Sequence, residues 1–378
     1  MIQHPTINIV IGSLCRGGAE RHLSQILPAL ARRGFRFRVI LLSGLGDFAP
    51  VLEKAGIELV LPTPRIGHCR ILSAFSRLFH LWRFVLSHRH EPFHFFLPQS
   101  YLMGMLACLL ACHRGPRIMS RRSLNDYQKK HPHLARLERF FHRHITAALG
   151  NSEAVVRQLG EEGIPAEKRG LIYNGIETER FEAAREMRTE RDIPEGAPVM
   201  AIVANLIPYK GHADLLAALA MVAPNMPKNW RLLVIGRDDG IGSALRRQAE
   251  QADLSEHVLW LGVRTDIEAL LKSSNIGLLT SHEEGFSNAI LEAMAAGLPV
   301  IATDVGGNRE AVGDTAGIIV PPKAPEDLGR AILALAKNAD LRQKMGLAAK
   351  ARVRENFSME SCVDAYARFY EETLPCAD

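Results

Sequence analysis

The sequence predicts an α/β protein made of two doubly wound parallel sheets. Short β-branched runs alternate with amphipathic helical stretches from end to end, the pattern of strands covered by helices. The strand series stops at a polar stretch near the middle of the chain and begins afresh beyond it. The composition agrees: of 378 residues, 47% are apolar and 23% charged, which excludes a disordered or collagen-like chain.

Strands are expected at 7–13, 36–43, 58–61, 93–97, 117–120, 145–150 and 171–173 in a first domain spanning 1–176. The second series, at 199–204, 231–236, 258–262, 276–280, 300–303 and 318–320, falls in a domain spanning 198–355. Between them, 177–197 is Arg/Glu-rich and weakest in apolar periodicity, with Pro194 and Pro198 at its end; it is the expected hinge. A last helix within 356–378 follows. Two such sheets facing each other place a cleft at the C-terminal edges of their strands, where ligands bind in this class.

Charge is unevenly spread. Through Gly175 there are 24 basic against 11 acidic side chains, a net of +13, and the remainder carries 22 against 30, a net of −8. The first domain is therefore expected to meet an anionic surface or acceptor, such as a membrane face carrying a lipid-linked sugar. Met1 to Pro5 runs into an apolar strand without a basic leader, so the expected location is cytoplasmic, peripheral to the inner membrane face at most. The longest apolar stretch, 102–112, is too short to cross a bilayer and is expected as a buried helix. Six cysteines include no CxxC pair, which fits neither a zinc site nor a disulfide framework.

Three loops carry candidate chemistry. Strand 7–13 ends in Gly12-Ser13-Leu14-Cys15-Arg16-Gly17-Gly18-Ala19-Glu20, and helical periodicity follows. Glycines at such a turn let backbone approach a ligand, and the helix start attracts anions. The loop is neither G-x-G-x-x-G nor a Walker A motif, since Gly18 and Ala19 replace the lysine and hydroxyl. ATP hydrolysis is not expected. The second loop, Asn205-Leu206-Ile207-Pro208-Tyr209-Lys210-Gly211, follows the first strand of its sheet and can aim the Lys210 ammonium at the cleft. The third runs from Glu284 and Gly285 through Phe286, Ser287 and Asn288 to Glu292. Gly285 allows a sharp turn, and Ser287 or Asn288 can cap the departing helix. Glu284 then stands at the strand mouth and Glu292 about one turn inside the helix, leaning toward its start.

Together these segments resemble the glycosyltransferase family 4 (group 1) lineage, retaining enzymes of the two-domain GT-B class. The Gly17–Glu20 loop, Asn151-Ser152-Glu153, Tyr173-Asn174-Gly175-Ile176, Lys210-Gly211 and the Glu-x7-Glu run match in order over roughly residues 7 to 370. The resemblance implies transfer of a sugar from a UDP- or GDP-linked donor to a hydroxyl of a glycan or lipid-linked acceptor, in cell-surface polysaccharide biosynthesis, with no cofactor or metal required. Carried over residue by residue, it gives Lys210 the donor diphosphate, Glu284 the sugar near its anomeric carbon, and Glu292 the ribose hydroxyls. Gly17, Gly18 and the amides of Ser287 and Asn288 would meet the phosphates, with Gly285 and Phe286 lining that loop. Arg264 would border the nucleobase. The chain departs from the family pattern at Asn205, where most relatives have arginine, so the diphosphate must lean on Lys210, the helix start or another base such as Arg121. It departs again after the 93–97 strand, where Gln99, or more weakly His94, stands for an acceptor-site histidine. A sugar-nucleotide epimerase and a non-catalytic nucleotide-sugar-binding subunit share the same architecture.

Other features read as structural. The basic amphipathic stretch 70–90, with Phe75, Leu78, Phe79, Trp82 and Leu86 on one side, is expected to pack on the sheet. His88/His90, His131/His133 and His142/His144 are two apart, so on helices they share no face and form no expected metal site. Arg121-Arg122 and Lys129-Lys130 lack the interleaved aromatics of nucleic-acid binders.

Overall fold

A computed structural model describes residues 5–15, 17–61, 70–124, 128, 131–187 and 196–374. The chain divides into two compact units, Met1–Gly175 with Glu360–Asp378, and Ile176–Met359. Residues 188–195 of the expected hinge lie outside the described residues, as do Arg16, Lys129 and Lys130.

The first unit holds seven parallel strands: β1 (Thr6–Ser13), β2 (Arg36–Gly44), β3 (Glu58–Val60), β4 (Phe93–Phe96), β5 (Arg117–Arg121), β6 (Ala147–Gly150) and β7 (Arg169–Leu171). They run in the order β3-β2-β1-β4-β5-β6-β7, so the order reverses between β1 and β4. Parallel strands covered on both faces bury every side chain. Accordingly Ile7, Ile9, Val10 and Ile11 of β1 and Phe93, Phe95 and Phe96 of β4 are fully buried. The last strand begins two residues earlier than expected. The apolar Leu171-Ile172 pair suggested 171–173, but the ladder pairs Arg169, Gly170 and Leu171 with Ala148, Leu149 and Gly150.

The second unit holds β8 (Val199–Val203), β9 (Arg231–Ile235), β10 (Val258–Gly262), β11 (Ile276–Leu279), β12 (Val300–Thr303) and β13 (Gly317–Val320). Their order is β10-β9-β8-β11-β12-β13, reversing between β8 and β11. Its core joins Met200 and Ile202 to Leu232, Val234, Ile276, Leu278 and Ile301. Helix His212–Val222 adds Leu215, Leu216 and Leu219. Each unit is thus a Rossmann-like doubly wound sheet, and each reversal creates a crevice at its strand ends.

Two expected helices differ in how they bury themselves. Pro98–Leu110 ends before Cys112, and although Met105, Ala107 and Cys108 are buried, Leu106 and Leu110 are exposed. It is half-covered, not wholly interior. Helix Arg70–Ser87 turns only part of its apolar surface inward: Leu81 and Val85 are buried, whereas Phe75 and Phe79 face outward. The last helix, Met359–Thr373, seats Tyr366 and Tyr370 in the first unit. Tyr370 Oη lies 2.8 Å from His94 Nδ1 and Tyr366 Oη 3.2 Å from His22 Nε2. No described helix is long and apolar enough to cross a membrane.

Candidate functional site

The site begins where β8 ends. Leu206 N–H bonds to Arg237 O at 2.8 Å, which ties this loop to the end of β9. Pro208 then starts a short 3-10 turn, Pro208–Lys210, closed by Gly211 in the left-handed region at φ +70°. A Cβ at Gly211 would sit 1.9 Å from the Thr280 carbonyl oxygen, so only glycine lets the turn lie this close to the end of β11. Thr280 Oγ1 completes the contact by donating to Lys210 O at 3.0 Å. The lysine backbone is thereby fixed to the neighbouring strand across the sheet reversal. Its Nζ lies 5.4 Å from the centre of the Tyr209 ring.

From the other side of the reversal, the chain after β11 carries Glu284. Lys210 Nζ meets Glu284 Oε1 at 2.5 Å, and Ser281 Oγ donates to the same oxygen at 2.8 Å. Both charged side chains are mostly covered, 19% and 12% exposed. The loop around Glu284 is braced from behind: Thr303 Oγ1 donates to Ser281 O at 2.5 Å and Gly307 N–H to Gly285 O at 2.7 Å. Gly306, at φ +54°, approaches so closely that a Cβ there would stand 2.1 Å from Glu284 O.

Helix Asn288–Ala295 leaves this loop with Ser287 as N-cap, but the serine side chain makes no capping bond. The positive end of the helix dipole follows closely after Glu284 in the chain. Phe286 is buried, its ring 5.2 Å from that of Phe357. Glu292 is buried in the second turn.

Neighbouring strand ends extend the charged rim. Asn205 supplies no cation; its Oδ1 accepts from Arg237 N at 3.2 Å, bracing the loop after β9. Arg237 itself pairs with Asp239 at 2.6 Å, and Arg264, after β10, makes two bonds to Asp266 at 2.8 and 2.7 Å. Gly236 N–H bonds to Gly262 O at 2.9 Å, joining those two loops. Next to Lys210, His212 is buried at the first helical position, and burial together with the Lys210 charge pushes its imidazole down to about 4.

In the first unit, Gly17 caps helix Gly18–Arg32 in extended conformation. Gln99 is exposed in the first turn of Pro98–Leu110, just after Leu97, whose φ of +72° is strained for a residue with a side chain. Two candidates here take internal roles instead. His94 is fully buried between Tyr370 and Ser120, its Nε2 2.8 Å from Ser120 Oγ. Arg121, expected to reach an acceptor or diphosphate, is buried and donates to Glu162 at 2.5 Å and Glu138 at 3.5 Å. A guanidinium between two carboxylates in the interior is spent on them.

Comparison with known proteins places these features in a family. The model described as glycosyltransferase family 4 matches residues 16–180, and that described as glycosyl transferases group 1 matches 184–352. The chain belongs to the group 1, family 4 glycosyltransferase family. It is 28% identical over 248 residues to N-acetyl-alpha-D-glucosaminyl L-malate synthase of Bacillus anthracis, covering 64% of each chain. Over 218 residues it is 31% identical to D-inositol 3-phosphate glycosyltransferase of Corynebacterium jeikeium, covering 54% of this chain and 52% of that one. These matches span under two thirds of the relatives' own lengths. Among solved structures, Anabaena Alr3699/HepE in complex with UDP superposes with a TM-score of 0.83 at 21% identity, over 97% of this chain and all of that one. WaaG, a glycosyltransferase involved in lipopolysaccharide biosynthesis, gives 0.75 at 19%, over 96% and 99%. At these identities the likeness establishes the GT-B fold.

For a glycosyltransferase-family chain, the residues missed in the sequence are those that hold the pair. Ser281, Thr280, Thr303 and Gly306 carry no motif of their own. The His282–Asp214 contact, Nε2 to Oδ2 at 2.6 Å, joins the Glu284 loop to the first turn of helix His212–Val222 and is equally silent. Only the strand-end position of Thr280 and Ser281, directly before the Glu284 loop, signalled them.

Proposed function

We propose that this chain transfers a glycosyl group from a nucleoside-diphosphate sugar to a hydroxyl of a carbohydrate or lipid-linked acceptor, with retention of anomeric configuration. The observation that carries the reading is the Lys210–Glu284 pair beside the start of helix Asn288–Ala295. Breaking the bond between the anomeric carbon and the phosphate oxygen develops positive charge on the sugar and negative charge on the diphosphate. Lys210 and the helix N-terminus offer positive potential to the diphosphate, and the Glu284 carboxylate, oriented by Ser281, faces the sugar. Glu292 receives the ribose hydroxyls. The acceptor oxygen bonds the anomeric carbon on the face the diphosphate leaves, and the departing phosphate oxygen takes its proton. The chain's own residues bind and orient the reactants, the donor itself takes up the proton, and no cofactor or metal is called on.

A UDP- or GDP-linked donor fits the site; the fold relative bound to UDP favours the former. The first unit, with Gln99 exposed after β4, takes the acceptor side. Its net charge of +13 through Gly175 suits an anionic acceptor or membrane face in cell-surface glycan synthesis. The test is turnover of UDP- and GDP-sugars with glycan and lipid-linked acceptors, reading nucleotide release and product linkage. Acceptor-dependent release of nucleotide with an α-linked product from an α-linked donor supports the reading. Binding without release, or epimerised donor as the sole product, overturns it.

A further inference from the structure

Helix Arg70–Ser87 is apolar on two sides, and among the described residues only one side is covered. Inward, Leu81 and Val85 are buried against the sheet. Outward, Leu72, Phe75, Phe79 and Leu86 are 54%, 65%, 51% and 41% exposed. At about 100° per residue these four fall within an arc of about 60°, a continuous stripe of large side chains along four turns. Scattered exposed apolar residues need no explanation, but an ordered stripe of this size marks an interaction face.

The chemistry on both flanks narrows the partner. The helix contains Arg70, Arg77 and Arg83 and no acid. Beside its basic flank opens a cavity of about 450 Å³, with Leu42, Val60, Leu81 and Phe84 as an apolar floor and Arg77, His80, Arg83 and His88 among its lining. An apolar ridge next to cations, with a pocket floored by hydrocarbon, matches an interface that is greasy below and anionic above. A second copy of this face would set arginines against arginines. The helix is also not long and apolar enough to span a membrane, so it can only lie in the plane of one.

We propose that helix Arg70–Ser87 docks the first unit onto an anionic lipid bilayer. Leu72, Phe75, Phe79 and Leu86 enter the boundary of the acyl chains, and Arg77 and Arg83 meet the headgroup phosphates, the adjoining cavity taking part of one lipid. This deepens the reading of an anionic partner for this unit, and lipid binding is measured without reference to sugar transfer.

The experiment is cosedimentation of the full chain with phosphatidylglycerol-rich vesicles and with phosphatidylcholine vesicles, at low and high salt. The variants are Phe75→Ser/Phe79→Ser and Arg77→Gln/Arg83→Gln, with UDP and GDP binding measured on each as a fold control. The wild type is expected to bind the anionic vesicles and to leave them at high salt, and each double variant to bind about tenfold more weakly or less, with nucleotide binding unchanged. Equal binding by Phe75→Ser/Phe79→Ser, preference for neither lipid, or no vesicle binding by the wild type overturns the proposal. So does light scattering that shows a wild-type dimer which the phenylalanine variant splits, for the stripe is then an interface between copies. Loss of nucleotide turnover with intact vesicle binding would count against the transfer reading alone.

Discussion

The Lys210 ammonium and the Glu284 carboxylate stand 2.5 Å apart, on loops leaving adjacent strands where the strand order of the second sheet reverses. Neither loop could hold its residue there alone. Gly211 brings the lysine turn against Thr280, and Gly306 presses on the glutamate loop from the far side. Taking two such charges largely out of water offsets much of their mutual attraction, so the pair adds little net stability to the fold. A ligand that binds either charge can therefore open it at little cost to the fold.

Replacing Lys210 with alanine is expected to lower turnover by about 10²-fold or more, the effect of losing one preorganised charge donor. The variant should unfold at nearly the wild-type temperature, because Glu284 keeps its bond from Ser281. Steady-state kinetics and a thermal melt on the same preparation check both halves.

The glycine contacts carry the opposite expectation. Gly211→Ala and Gly306→Ala force a side chain into the left-handed region and onto a carbonyl oxygen, at a cost of roughly 1–3 kcal/mol each. Displacement of the loops should also weaken nucleotide binding. Urea unfolding and titration with UDP and GDP measure the two effects, and Gly163→Ala, at an open positive-φ site, serves as the backbone-strain control.

Arg121 is expected to matter for folding and not for donor binding. Arg121→Met leaves Glu138 and Glu162 buried with one cation fewer and should destabilise the chain by roughly 3 kcal/mol. Nucleotide affinity of the folded variant should equal that of the wild type. A selective loss of nucleotide affinity without a loss of stability would return Arg121 to the ligand.

Acid should destabilise the protein in two stages. Burial, with the nearby Arg122 charge, holds the His94 imidazole down to about 3, and burial chiefly holds His113 and His212 down to about 4. In the unfolded chain a histidine takes its proton near pH 6.5. The unfolded state thus binds more protons below that pH, and stability, complete above about 6.5, falls as pH drops toward 4. Glu162 acts lower: burial pushes its carboxyl up, but bonds from His142 and Arg121 outweigh this and hold it at about 2. Its contribution is present above the ordinary glutamate range and lost on the way down to pH 2. Urea midpoints from pH 8 to 3 should show this decline, and His94→Gln should flatten its upper part by up to about one proton.

The sheets were legible in the sequence because parallel strands covered on both faces read as nearly continuous apolar runs, as at Ile7–Ile11, broken only by Asn8, and Ile276–Leu279. The Lys210 and Glu284 loops were legible through the glycines and prolines that punctuate strand ends. Their mutual contact was not, since it depends on β8 and β11 lying side by side while the charged pair is separated by 74 positions in sequence. The burial of Arg121 was equally hidden, because an arginine at a strand end reads alike whether it faces solvent or two glutamates from other segments. Helix Arg70–Ser87 has apolar residues on two faces, and periodicity alone could not tell which face the sheet would take.

On the proposed function, the second unit holds a nucleoside diphosphate at the Lys210–Glu284 crevice. Isothermal titration of UDP and GDP into the wild type, Lys210→Ala and Glu292→Gln tests it most directly. Saturable binding of at least one nucleotide is expected, weakened about tenfold or more by each substitution. Wild-type affinity in both folded variants, or no binding of either nucleotide by the unaltered chain, would contradict it.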